Sequence, residues 1–417
     1  LETAIERSLS EDRHYQNSAT TLLVSWSGSD SASGIAMYEY ALNFTFSGIS
    51  FSLVPWTSAE TATSDTLTGL NLLTEGATYY LSVRATDAAG NVSSVSTADG
   101  ITIDLTAPLG TTVSDGTGAD ISYSGSDTTL SANWAAFTET VSGVQKYEYA
   151  IGITSGGTEL VTWTDNDTAT SVTKSGLTLS NGTEYYISVR ATDNAGNLST
   201  TIISDGVIVD TAAPIAGNVT DSTATDLDWT RSTSSLTSTW TGFSDALSGI
   251  QKYEYAIGDT IGGTNVLSWT DNSTTTSVTK TGLTLTNGTT YYISVRATDN
   301  VGNVSTVSTT DGITVDTDAP VLETPFEGSL TADRDYQNSA TTLIVSWSGS
   351  DTASGIAMYE YALDFFFSGI PLSLVPWTSA ETATADTATG LSLVEGTTYF
   401  LSVRAVSYTH LTLPTKA

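Results

Sequence analysis

The chain has 417 residues, 39% hydrophobic and 9% aromatic, enough apolar content for several packed domains and too much for a disordered segment. Its 45 acidic residues outnumber 13 basic ones, and the resulting charge of −32 is spread along the whole length, so nucleic acid and anionic membrane are poor partners and cations good ones. It has no cysteine, which rules out disulfides and thiolate metal sites, and neither an apolar run of bilayer length nor a basic-then-apolar leader. Because it opens on Leu1 instead of methionine, it reads as an internal piece of a longer protein.

Tryptophans set the organisation. Trp26, Trp134, Trp240 and Trp347 recur about every 107 residues, and Trp56, Trp163, Trp269 and Trp377 follow the same period. A period of that length means whole domains, not solenoid turns. Four repeats are expected, at 1–106, 107–212, 213–318 and 319–405, with a separate tail at 406–417. The first and fourth share "YQNSATTL" and "SGIAMYEYAL"; the second and third share "KYEYAIG" and "WTDN".

Within a repeat, period-two alternation bounded by Gly, Asn, Asp and Ser turns predicts an all-β unit. In the second repeat Leu130, Ala132 and Trp134 fall on one face of a strand, Tyr147, Tyr149 and Ile151 on the next, and Tyr185, Ile187, Val189 and Ala191 on a third. These are the inward rows of a sandwich. The outward rows carry Glu148 and Arg190, matched by Glu39 with Arg84, Glu254 with Arg296 and Glu360 with Arg404, which predicts a cross-strand ion pair in each repeat.

A tryptophan on the second strand, a "YEY" third strand and "LTLSNGTEYYISVRA" entering the sixth resemble the fibronectin type III fold in the divergent form of bacterial surface proteins, over about residues 1–405. The resemblance implies seven-stranded sandwiches in tandem, like beads on a string, and makes Tyr79, Tyr185, Tyr291 and Tyr399 corner tyrosines whose hydroxyls cap backbone beside the preceding turn. No "RGD" tripeptide occurs, so animal-type cell attachment is not implied.

In such a sandwich the N-terminus, the loop between strands two and three and the loop between strands six and seven lie at one end, so acidic segments should meet at each junction. The linkers "IDLTAP", "VDTAAP" and "VDTDAP" supply Asp104, Asp210 and Asp316. The second-to-third-strand loops supply Glu139, Asp245 and Asp351, each four residues before the glycine of an "SG" pair, as Asp30 is in the first repeat. The sixth-to-seventh-strand loops supply Asp193 with Asn197 and Asp299 with Asn303. Carboxylates gathered without a cation repel, and Ca²⁺ accepts such oxygen ligands in a flexible shell, so junctional calcium is the expected cofactor. The competing reading is that Asp and Asn are ordinary turn formers.

The hairpin after "YEYAL" separates the two kinds of repeat: "NFTFSGISFSLVPW" and "DFFFSGIPLSLVPW" in the first and fourth, shorter and polar in the others. Most of its phenylalanines extend the inward row, but Phe366 has the parity of outward Glu360 and is expected on the solvent face. Only His14 and His410 are present, neither in the middle repeats, so no Ser-His-Asp set can be assembled, and no cleft is expected for a carboxylate pair. "VSYTHLTLPTKA" breaks all likeness to the other repeats and resembles translated adaptor read-through, leaving the fourth repeat without its seventh strand. The expectation is a non-catalytic, monomeric spacer of an extracellular or cell-surface bacterial protein such as an adhesin, whose partners are its neighbouring domains and a cell-surface protein or glycan. The alternative is a carbohydrate-binding module array of an extracellular enzyme.

Overall fold

In the second repeat the alternation becomes strands whose every second side chain is buried. The computed structural model describes residues 3–5, 13–46, 49–71, 75–223, 225–329 and 332–410. Strands β1 (Val113–Asp115), β2 (Tyr123–Ser124), β3 (Leu130–Trp134), β4 (Val144–Gly152), β5 (Val161–Asp165), β6 (Ser171–Lys174), β7 (Glu184–Asp193), β8 (Ile202–Ile203) and β9 (Val207–Val209) build it. One sheet runs β1-β3-β6 and the other β2-β9-β7-β4-β5, with β8 beside β7. The seven-strand plan therefore holds, but the first strand is broken into β1 and β2, which lie on opposite sheets, and the last is broken into β8 and β9. The pairing of β2 with β9 is parallel; the other pairs are antiparallel.

Between the sheets lies the expected core of Leu130, Ala132, Trp134, Tyr147, Tyr149, Ile151, Tyr185, Ile187, Val189 and Ala191. The first and third repeats have the same strand order, with Tyr15–Gln16 parallel to Ile101–Ile103 and Trp229–Thr230 parallel to Ile313–Val315. Contacts divide the chain into two units, Leu1–Thr211 and Ala212–Ala417, each with two repeats.

The corner tyrosines do what the resemblance implied. The hydroxyls of Tyr185, Tyr291 and Tyr399 accept from the amides of Ser180, Thr286 and Val394, each at 2.9 Å. The residue that would donate to Tyr79 by the same spacing, Thr74, lies outside the described residues.

The fourth repeat departs from the plan. Its second sheet has three strands, Ile370–Glu381, Ile356–Phe367 and Tyr399–Ser407, with no counterpart of β9 among the described residues. The last of these strands runs past the end of the likeness: Val406 faces Met358 and Ser407 faces Ile356, the place Asp193 holds opposite Val144. A short 3-10 turn follows at Tyr408–His410. The hairpin arms are 12 residues each in the first and fourth repeats. As expected from its parity, Phe366 is exposed, at 54%, and packs edge-on against Phe400. Phe44 stacks on Phe51 and lies tilted against Tyr79 at the edge of the core; the side chain of Phe46 lies outside the described residues.

Candidate cation sites at the repeat junctions

The acid before each "SG" pair has a local task. Asp30 Oδ2 accepts the amides of Ser33 (2.7 Å) and Gly34 (2.8 Å). Asp245 Oδ1 accepts those of Leu247 (3.1 Å) and Gly249 (2.8 Å), and Asp351 Oδ1 those of Ala353 (3.1 Å) and Gly355 (2.9 Å). Glu139 spreads the same job over two oxygens, to Val141 at 2.8 Å and to Gly143. The glycine sits at φ of 77–78° in all four, a left-handed turn that the carboxylate fastens. The fixed four-residue offset is thus explained by turn chemistry without an ion.

The same holds for one oxygen of each sixth-to-seventh-strand aspartate. Asp193 Oδ1 accepts the amides of Gly196 (2.7 Å) and Asn197 (2.8 Å), and Asp299 Oδ1 those of Gly302 (2.7 Å) and Asn303 (2.8 Å). The amide nitrogens of Asn197 and Asn303 donate to the other oxygen at 2.9 Å. Asn197 also donates to the carbonyl of Asp104 at 2.9 Å, which ties the loop to the linker before it, and Asn303 donates to the carbonyl of Ala212 at 3.2 Å. The asparagines therefore act as amide donors, the opposite of what a metal ligand offers through its oxygen.

All three linker aspartates are fully buried. Asp104 Oδ1 accepts the Thr106 amide, but its Oδ2 is enclosed without a hydrogen-bond partner. Asp351 Oδ2 is likewise enclosed and unpartnered. Burial works against the charge of Asp316, yet hydrogen bonds from Ser354, Asp318 and Thr409 together hold its carboxyl below the usual range. Asp245 and Asp299, in the second unit, bring one carboxylate oxygen each within 4.8 Å of one another, whereas Asp104, Glu139 and Asp193 do not close to that distance as a trio. Asp210 lies one residue before the end of the first unit, its amide donating to the carbonyl of Ser124 at 2.8 Å.

On the outer face of the β2-β9-β7-β4-β5 sheet the predicted ion pair forms in every repeat, Arg190 Nε to Glu148 Oε2 at 3.0 Å, with 2.8, 3.0 and 2.7 Å in the counterparts. Sequence reading missed what lies over it. The guanidinium of Arg190 stacks 4.1 Å from the centre of the Trp163 ring, and Arg84, Arg296 and Arg404 stand at 4.4 Å over Trp56, Trp269 and Trp377. The parity of Trp163 in "VTWTD", offset from Glu148 across the hairpin, was the signal available. One face of each outer tryptophan is therefore occupied by its own arginine.

Recesses of about 460 Å³ beside Gly116–Ile121 and about 440 Å³ beside Asp221 are lined by serine, threonine and aliphatic side chains, with Asp221 the single titratable group in either.

No family model matches the chain. It is 31% identical to exoglucanase B of Cellulomonas fimi over 81% of this chain and 29% of that one, and 33% identical to endoglucanase B of Cellulomonas fimi over 88% of this chain and 32% of that one. Chitinase A1 of Niallia circulans is 35% identical over 47% of this chain and 24% of its own length. The chain thus spans about a third or less of these relatives. Among solved structures it is similar to the fibronectin(III)-like modules of Clostridium thermocellum CbhA (15% identity, 49% of this chain, 94% of that one, TM-score 0.29). It is also similar to part of a 1.5-MDa bacterial ice-binding adhesin (19% identity, 72% of this chain, 92% of that one, TM-score 0.35). Neither score carries an argument; strand order, corner tyrosines and inward rows do. The chain is a tandem array of fibronectin type III-like β-sandwiches.

Proposed function

We propose that the chain is a non-catalytic spacer of an extracellular carbohydrate-active protein, with calcium bound at its repeat junctions. The observation that carries the first part is the span of the likeness: it covers 81–88% of this chain but 29–32% of the two Cellulomonas fimi glucanases, so what is shared is a region beside whatever acts on substrate. Those relatives favour an enzyme setting over an adhesin. Arginine takes one face of each outer tryptophan, which narrows the module-array alternative to the remaining faces of Trp56 and Trp377, 39% and 45% exposed. The unpartnered oxygens of Asp104 and Asp351 support the calcium part, since an enclosed carboxylate oxygen without a donor is costly unless protonated or coordinated.

Two experiments test the reading. Sedimentation with crystalline cellulose or chitin should leave the chain in the supernatant; depletion that Trp56→Ala and Trp377→Ala abolish would move the assignment to glycan binding. Small-angle scattering and calorimetry in calcium and in chelator should show a larger maximum dimension and a higher melting temperature with the ion. No change in either removes calcium from the junctions and leaves the spacer intact.

A further inference from the structure

Where the first strand of the second repeat crosses between sheets, three carboxylates converge. Asp115 ends β1, Asp120 lies in the crossover to β2, and Asp205 stands in the break between β8 and β9; one oxygen from each lies within 4.8 Å of the others. The third repeat repeats the arrangement with Asp221, Asp226 and Asp311. Asp120 Oδ1 accepts the Asp115 amide at 2.7 Å, and Asp226 Oδ1 the Asp221 amide at 3.0 Å. Asp115 Oδ2 accepts the amide of Gly206, and Asp221 Oδ2 that of Gly312, both at 3.2 Å.

The second observation is the remaining oxygen. Asp115 and Asp221 are 0% and 1% exposed, and in both the Oδ1 is enclosed with no hydrogen-bond partner. No lysine or arginine pairs with any of the six carboxylates among the described residues. Each buried carboxyl thus keeps one unpartnered oxygen, has the hydroxyl of Ser204 or Thr310 beside it, and stands next to two more carboxylates with no cation, an arrangement that lacks a positive partner.

We propose that each of these clusters is a binding site for one calcium ion, held by the buried aspartate at its centre and the two exposed aspartates at its rim. The donor set is all oxygen, with no imidazole or thiolate, which excludes a zinc preference; it combines three carboxylates on two loops, matching the flexible shell that calcium tolerates better than magnesium. Burial pushes the carboxyls of Asp115 and Asp221 up, against hydrogen bonds from Ser204 and Gly206 in the one and Thr310 and Gly312 in the other. The ion would fasten β1, β2 and β9, so the first and last strands of the repeat are clamped at one point.

The fourth repeat is an internal control. In the first repeat, the aspartate equivalent to Asp205 is Asp99, which lies 3.5 Å from His14 Nδ1, and the position of Asp115 falls on Glu6, outside the described residues. In the fourth, Glu327 occupies that position opposite Val345, and no strand equivalent to β9 stands among the described residues. Both clusters lie inside single repeats, so the proposal stands or falls independently of the junctional one.

Titration of the chelator-stripped full chain with calcium chloride, followed calorimetrically, tests it. The double variant Asp120→Asn with Asp226→Asn changes only exposed rim residues and should bind two fewer ions per chain, or bind two of them about tenfold or more weakly. Asp104→Asn with Asp351→Asn should leave those two ions in place. A stripped chain that takes up no calcium, or a rim variant with the stoichiometry and affinity of the parent, would overturn the proposal; circular dichroism of each variant confirms that it is folded.

Discussion

Arg190 shows how much one outward position can hold. Its Nε donates to Glu148 and its plane lies on Trp163, so the side chain joins three strands of one sheet. Lysine keeps the charge but has neither the flat face nor the fork, so Arg190→Lys should destabilise the repeat almost as much as Arg190→Ala, by about 1 kcal/mol in chemical denaturation. Equal stability of Arg190→Lys and the parent would show that the stacking contributes nothing. The pair itself was legible, because Glu148 and Arg190 alternate with buried tyrosine and valine; the tryptophan over it was not, because the register of a hairpin is fixed by its bulge and not by local pattern. A second residue-scale effect divides the repeats. Tyr40 and Tyr361 donate to Asp65 and Asp386 at 2.7 and 2.8 Å, and burial, then these carboxylates, push both phenols up to about 12. A phenol raised above its unfolded value of about 10 favours the neutral form in the native state. Its contribution is complete below pH 10 and is lost as pH rises through 12. Phenolate absorbance should therefore show two tyrosines titrating last, and Asp65→Asn with Asp386→Asn should bring both down.

The broken first and last strands are the element-scale feature that alternation does not reveal. β1 and β2 are three and two residues long, too short for any periodicity, and the acids that meet between them come from positions 115, 120 and 205. Asp-Gly at 205–206 and 311–312 reads as a turn in sequence, which it also is. The clue was that "DG" before the last strand coincides with an aspartate pair five residues apart near the first, in the second and third repeats alone. Gly206 and Gly312 have φ of 111° and 109°, and a Cβ there would stand 2.9 Å from Tyr186 Cε1 and 2.6 Å from Tyr292 Cε1. Strain and overlap together make Gly206→Ala and Gly312→Ala each destabilising by about 2 kcal/mol, measured by thermal unfolding. A change within error would mean that the tyrosine rings yield freely. The long hairpins of the first and fourth repeats were legible only in part: Phe366 is exposed as its parity predicts, but Phe367, of inward parity, is 67% exposed because the tip of the hairpin runs beyond the core.

Across the molecule, four copies of one plan differ in how completely they close. The tandem order was readable from tryptophan spacing alone, because a buried indole is hard to replace in a small sandwich: Trp26, Trp134, Trp240 and Trp347 are all at most 6% exposed. The junctions were only half readable. Spacing located the acids, but whether an acid caps a turn or leaves an oxygen free depends on backbone geometry that sequence does not carry. The fourth repeat, whose strand Tyr399–Ser407 has no neighbour equivalent to β9 among the described residues, should be cut first in limited proteolysis, before the second and third. Protection equal to theirs would show that this strand is covered. The parallel pairing of β2 with β9 has a further, mechanical meaning. The chain enters the second repeat through β1, paired antiparallel with β3, and leaves it from β9; once β1 peels from β3, tension on the two ends drags the parallel strands β2 and β9 past each other. The amides of Ile208 and Asp210, bonded to Ser122 and Ser124 at 2.9 and 2.8 Å, then share the pull at the same moment instead of parting one after another. A repeat tied in this way resists stretching until both bonds fail together, which suits a tether between parts that move relative to one another.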